Sequence, residues 1–187
     1  MSPKRSTLAS MNELSCFPPI INRATRTLIL GTMPGQASLE AQQYYAHPRN
    51  QFWPMMEALF SIRCSWPYAK RTAELLKAGV GVWDVLQSCV REGSLDSAIK
   101  SDSVVVNDFA TLLDRCPQLD QIVFNGAMAE RLFHRHSAPK LQQRAELEQV
   151  KLMPKLTRMP STSPANASLS FAAKLNQWAI IRSKKPS

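Results

Sequence analysis

His47, Arg49 and Asn50 stand within four residues of one another, inside the run Tyr44-Tyr-Ala-His-Pro-Arg-Asn-Gln-Phe-Trp53. Packing rarely asks for an imidazole, a guanidinium and an amide together, and four aromatic rings crowd around them. That mixture suits a flat ligand with a polar edge, such as a nucleobase. Phe52 and Trp53 equally suit a core. Just upstream, Leu28-Ile-Leu-Gly-Thr-Met-Pro-Gly35 reads as a short buried strand that breaks at Gly31, Pro34 and Gly35 into a turn whose backbone can approach a ligand closely. An ordinary tight connection in an α/β protein has the same pattern. The polar residues from His47 to Asn50 tip the reading towards a pocket.

Three further segments carry chemistry. Asp84 interrupts the apolar run Val80-Gly-Val-Trp-Asp-Val-Leu86. A buried carboxylate needs partners, so it can bond a base edge or satisfy neighbouring backbone donors. Asn125-Gly126 ends another apolar run; its amide both donates and accepts, and Asn-Gly is also a common turn pair. Met159-Pro-Ser-Thr-Ser-Pro-Ala-Asn166 is rich in hydroxyls and fixed by two prolines, which suits either a grip on a phosphate backbone or the cap of a following helix.

The elements that must position these residues alternate. Strands are expected at Thr27–Leu30, Val80–Leu86, Gln121–Phe124 and Leu156–Met159. Helices are expected at Trp53–Ser61 with Pro54 in the first turn, at Tyr68–Ala78 with Gly79 as its stop, and after Asn107 as a cap. Three more follow, from Gly126 through Phe133, over Leu141–Gln149 and over Ser170–Ile181. Strands separated by helices imply a mainly parallel sheet covered on both faces, with ligands bound outside the carboxyl ends of its strands. Those ends are where the four chemical segments lie.

The 187 residues suit one domain with a sizeable core, and 23 Lys and Arg against 14 Asp and Glu give a formal charge of +9, which favours a polyanionic partner. Arg23, Arg26, Lys70, Arg71, Arg131, Arg135, Lys151, Lys155 and Arg158 recur along the chain, which points to a basic groove rather than a basic tail. Cys16, Cys64, Cys89 and Cys116 form no C-x-x-C pair, and His47, His134 and His136 are scattered, so no metal site is expected. His134 and His136 read as the end of a surface helix. Neither an apolar leader nor a membrane-length apolar run is present, so a cytoplasmic protein with reduced thiols is expected. The dinucleotide, P-loop, zincin and α/β-hydrolase signatures are missing.

On Gly31-Thr-Met-Pro-Gly35, Gln43 through Trp53, Gly81-Val-Trp-Asp84, Gly93-Ser-Leu-Asp-Ser-Ala-Ile99 and Pro160-Ser-Thr-Ser-Pro-Ala-Asn166, the chain resembles the uracil-DNA glycosylase superfamily. The likeness is closest to its hypoxanthine-DNA, or DNA-deoxyinosine, glycosylase branch and spans about 28 to 178. The resemblance implies a three-layer α/β/α sandwich around a central, mainly parallel four-stranded sheet, one domain over 1–187 with mobile tails at 1–15 and 182–187. It implies a monomer that needs no metal or organic cofactor, flips a deaminated base out of damaged DNA and hydrolyses its N-glycosidic bond, leaving an abasic site.

By the same resemblance Asn50 positions the attacking water and His47 is a second catalytic candidate, a donor near the base or the phosphates. Gly31, Thr32, Met33, Pro34, Gly35, Tyr45, Phe52, Asp84 and Asn125 form the base site, with Phe52 stacked on the base. Ser161, Thr162, Ser163, Pro164, Ala165 and Asn166 meet the DNA, and the residue that fills the gap left by the base is sought between Ala165 and Leu169. Two departures stand out. Met33 occupies a position where many relatives carry Asp or Asn, and Met159 one where a histidine is usual. Asn50 therefore inherits the orientation of water. Hypoxanthine is the leading substrate and uracil or a mismatched base the alternative. A non-catalytic DNA-binding α/β module and a small-nucleotide hydrolase are the readings from other classes.

Overall fold

The computed structural model describes residues 13–148 and 154–182. In chain order the strands are β1 (Glu13–Ser15), β2 (Thr27–Gly31), β3 (Val80–Asp84), β4 (Leu86–Val90), β5 (Val105–Val106), β6 (Gln121–Asn125) and β7 (Lys155–Met159). The helices are α1 (Gln36–Ala41), α2 (Phe52–Phe60), α3 (Tyr68–Lys77), α4 (Phe109–Arg115), α5 (Ala127–His136), α6 (Ala138–Glu148) and α7 (Phe171–Trp178). None is long and apolar enough to cross a membrane.

Four strands form a parallel sheet in the order β3-β2-β6-β7. Side chains alternate between the two faces of a strand, yet Leu28, Ile29 and Leu30 are all fully buried. Both faces of β2 are therefore covered, as the expected three-layer α/β/α arrangement requires. Ile20 bridges to Val82 and closes the outer edge of β3, which removes an exposed row of backbone donors and acceptors. Gly81 permits this: a Cβ there would meet the Ile20 carbonyl at 2.9 Å.

The single strand expected over Val80–Leu86 is two strands in two sheets. After Asp84 the chain turns away, Val85 donates to the Gly31 carbonyl at 2.9 Å and Leu86 to that of Thr32 at 3.1 Å. Leu86–Val90 then joins an antiparallel sheet ordered β1-β4-β5. The turn leaves carbonyls to satisfy, and buried Asn107 donates to those of Asp84 at 2.8 Å and Leu86 at 3.1 Å. Asn107 is thus not the cap of α4. Asp108 is, accepting from the Thr111 amide at 3.1 Å.

Two tail expectations also change. Glu13–Ser15 pair with β4, and Arg182 donates to the Leu59 carbonyl at 2.9 Å. The remaining tail positions, Lys151 and the end of the expected helix at Gln149 lie outside the described residues.

Candidate functional site

The carboxyl ends of β2, β3 and β6 open into a cavity of about 380 Å³. Register places Asp84 beside Gly31. A Cβ at Gly31 would collide with Asp84 Oδ1 and sit 3.3 Å from the Tyr45 hydroxyl, so glycine is what lets this wall come so close. Thr32, Met33 and Pro34 are buried behind it and Gly35 leads into α1. Met33 is part of the core as well as the lining.

Asp84 is 3% exposed, and its Oδ2 is buried with no hydrogen-bond partner among the described residues. Burial pushes its carboxyl up to about 8; the negative charge of Asp96 adds to this and Arg91 opposes it. Asp84 therefore holds its proton at neutral pH and presents one donor and one acceptor. Asp96 lines the cavity too. Its carboxyl is also raised by burial, against the Thr32 hydroxyl and Arg91.

Arg91, the cation behind both carboxyls, has a side chain with no exposure. It donates to the carbonyls of Pro34 at 2.5 Å and Gly93 at 3.1 Å, and lies 3.7 Å from Asp96. It ties the Gly31 loop to the loop that follows β4. Nothing in local sequence periodicity marks Arg91 as buried. The lining residues Ser94, Leu95 and Asp96 lie in the Gly93–Ile99 motif, where no individual site residue was expected.

The expectation that Phe52 stacks on a base is corrected. Phe52 is fully buried, and Tyr45 stacks on it with centroids 3.9 Å apart and planes 19° from parallel. Phe52 is the inner layer of a two-ring stack, and the ring that lines the cavity is Tyr45's. The Tyr45 backbone has φ +57°, a left-handed conformation uncommon for a bulky residue. Burial first, and Asp84 next, hold its hydroxyl well above the ordinary phenol range.

Asn50 and His47 line the cavity from the loop before α2. Asn50 Oδ1 accepts from the Phe52 amide at 2.9 Å, and its own amide donates to the His47 carbonyl at 2.8 Å. One lone pair thus secures the first turn of α2, and the other stays available. His47 Nδ1 accepts from the Arg49 amide at 3.1 Å, which leaves Nε2 as the donor. The neighbouring Gln51 amide donates to the Thr162 carbonyl at 2.9 Å, fastening this loop to the opposite wall.

That wall is Ser161, Thr162, Ser163, Pro164, Ala165 and Asn166, all on the lining. The Ser161 and Ser163 hydroxyls accept from the amides of Ser163 at 3.2 Å and Ala165 at 3.3 Å, while Lys174 donates to the Asn166 carbonyl at 2.6 Å. The cap of α7 is Ser170, so the hydroxyl-rich stretch is a separate, self-bonded loop. Asn125 lines the cavity, yet its amide is committed at both ends to Thr162, at 2.9 and 2.8 Å. It positions the loop.

Every expected site residue except Phe52 therefore lines one cavity. The expected basic groove is different: none of the described cations in that set lines it. Arg26 pairs with Asp120 at 2.7 Å, at the far end of the parallel strands, and Arg158 with Glu130 at 3.1 Å. Lys70 lies over Trp66 and Arg71 over Trp53. Among the described residues no cluster of three or more His, Cys, Asp or Glu is arranged to hold a metal ion.

A family model described as the uracil DNA glycosylase superfamily matches residues 18–182. A protein described as hypoxanthine DNA glycosylase, from Methanosarcina barkeri, is 39% identical over 111 residues, 59% of this chain and 69% of that protein. Another of the same description, from Methanosarcina acetivorans, is 38% identical over 114 residues, 60% of this chain and 71% of that one. A solution NMR structure described as a candidate uracil DNA glycosylase from Methanosarcina acetivorans shares the fold with a TM-score of 0.73 at 30% identity, over 91% of this chain and 97% of that chain.

Proposed function

The chain belongs to the uracil-DNA glycosylase superfamily and is a DNA glycosylase acting on damaged DNA, and we propose that the base it excises is hypoxanthine. The observation that carries the choice is Asp84. A protonated carboxyl with one free oxygen, set against Gly31 in a cavity of about 380 Å³, offers a donor to the O6 or N7 acceptors of an oxopurine. The two relatives described as hypoxanthine DNA glycosylases support the same base.

In the reaction the flipped nucleotide stacks on Tyr45, with Phe52 behind it. The N9–C1′ bond breaks and its electrons pass to the purine, where the hydrogen bond from Asp84 lowers the cost of the developing negative charge. Water adds to C1′ of the oxocarbenium-like sugar and releases a proton to solvent. Asn50 Oδ1 holds that water by accepting one of its hydrogens, which positions the nucleophile rather than deprotonating it. His47 Nε2 donates to the base or an adjacent phosphate. The loop from Ser161 to Asn166 grips the backbone through amides and hydroxyls, held by Asn125 and Lys174. The lining comes from one chain, which supports action as a monomer.

Incubating duplexes that differ only in carrying inosine, uracil or xanthine, then cleaving abasic sites with alkali, tests the assignment. Product from the inosine duplex at the highest rate is expected. Faster cleavage of the uracil duplex would replace hypoxanthine as the substrate, and no product from any duplex would overturn the catalytic reading.

A further inference from the structure

A base that leaves the duplex opens a gap, and the stack closes over it unless something occupies the space. The region between Ala165 and Leu169 supplies no adequate plug: Ala165 carries a single methyl group, and Leu169 is not on the cavity lining. The opposite rim offers Leu95. It lines the cavity and is 57% exposed, and no other large, strongly exposed hydrophobic residue among those described does both. A nucleotide reaches the cavity only through its mouth, so an exposed side chain on that rim meets the duplex beside the lesion.

The turn that carries Leu95 is held from several sides. Arg91 reaches the carbonyls of Gly93 and Pro34. The Ser94 hydroxyl accepts from the Gln36 amide at 2.9 Å, and the Leu95 carbonyl from the Ala98 amide at 3.0 Å. Gly93, at φ +68°, makes the bend. An apolar side chain left in water on so well-anchored a turn is poised for insertion, because its backbone does not yield when the side chain is pushed against stacked bases.

We propose that Leu95 is the wedge that enters the stack of damaged DNA and holds the target nucleotide outside it. The role rests on the glycosylase reading but not on which base is excised. Leu95 acts on the helix and Asn50 and Asp84 on the extruded nucleotide, so the two functions separate by substrate.

The test uses the full chain and Leu95→Ala in single-turnover excision from an inosine duplex and from the same strand alone. Loss of the plug lowers duplex excision roughly 10- to 100-fold and single-strand excision far less, and Leu95→Met restores the duplex rate. Equal effects on both substrates, or a loss at Leu169→Ala in place of Leu95→Ala, would overturn the wedge. A second readout is independent of cleavage: 2-aminopurine beside the inosine brightens as the stack opens on binding. Brightening with the wild type but not with Leu95→Ala, without base release, would leave the wedge standing and remove hypoxanthine. Bound duplex that does not brighten with the wild type would overturn the wedge. Leu95 is exposed, so an unchanged melting temperature confirms that the variant is folded.

Discussion

Asp84→Asn separates the carboxyl's charge from its shape. In the unfolded chain Asp84 ionises near its ordinary value of 3.8, whereas in the folded protein burial raises this to about 8. Between those values the folded state binds more protons than the unfolded one, so stability falls as pH rises, at about 1.4 kcal/mol per pH unit. Above about 8 both states are ionised and the loss levels off. Over the interval the cost approaches about 6 kcal/mol as an upper limit, and relaxation around the charge leaves roughly half of that. Asparagine has nearly the same volume and cannot ionise, so Asp84→Asn and wild type differ little near pH 4. The variant becomes progressively more stable up to about pH 8, by roughly 3 kcal/mol or more, and the difference is constant above it. Urea unfolding of both proteins at a series of pH values reads this directly. Parallel stability curves would refute the protonated carboxyl. Asparagine keeps a donor and an acceptor, so excision survives near neutrality, within roughly tenfold, and any alkaline decline caused by Asp84 disappears.

Asn50→Ala lowers single-turnover excision by roughly 100-fold or more while DNA binding changes little, since the amide orients water rather than the duplex; equal losses in rate and binding would assign Asn50 a structural role. The same change removes the acceptor for the Phe52 amide and costs about 1 kcal/mol in urea unfolding. Gly31→Ala drives a Cβ into Asp84 Oδ1 and against Tyr45, so excision should fall with base pocket geometry while duplex affinity holds; a fully active variant would show that this close approach is dispensable. Net charge of +9 predicts that duplex affinity falls at least about tenfold between roughly 50 and 200 mM salt, measured by fluorescence anisotropy, and a flat response would exclude phosphate contacts as its main source.

Local chain chemistry determined the strand at Thr27, the break at Gly31, the polar loop before α2 and the hydroxyl-rich loop after β7. Apolar runs, glycines and prolines act over a few residues, so these features are legible without a fold. Alternation of such runs with helical periodicity was enough for a parallel sheet, and hence for the prospect that these segments meet at its carboxyl ends. Which atoms meet was decided by tertiary structure. Phe52 and Tyr45 are both aromatics in one short loop, and only packing buries the first and leaves the second against the cavity. Asn125 and Asn107 read as a site residue and a cap, yet their amides are taken by Thr162 and by the carbonyls at the turn after Asp84. Arg91 looks like any surface cation until the fold closes over it. A side chain's hydrogen-bond partners and its burial depend on residues distant in the chain, so no local pattern carries them; the same dependence keeps a proton on Asp84.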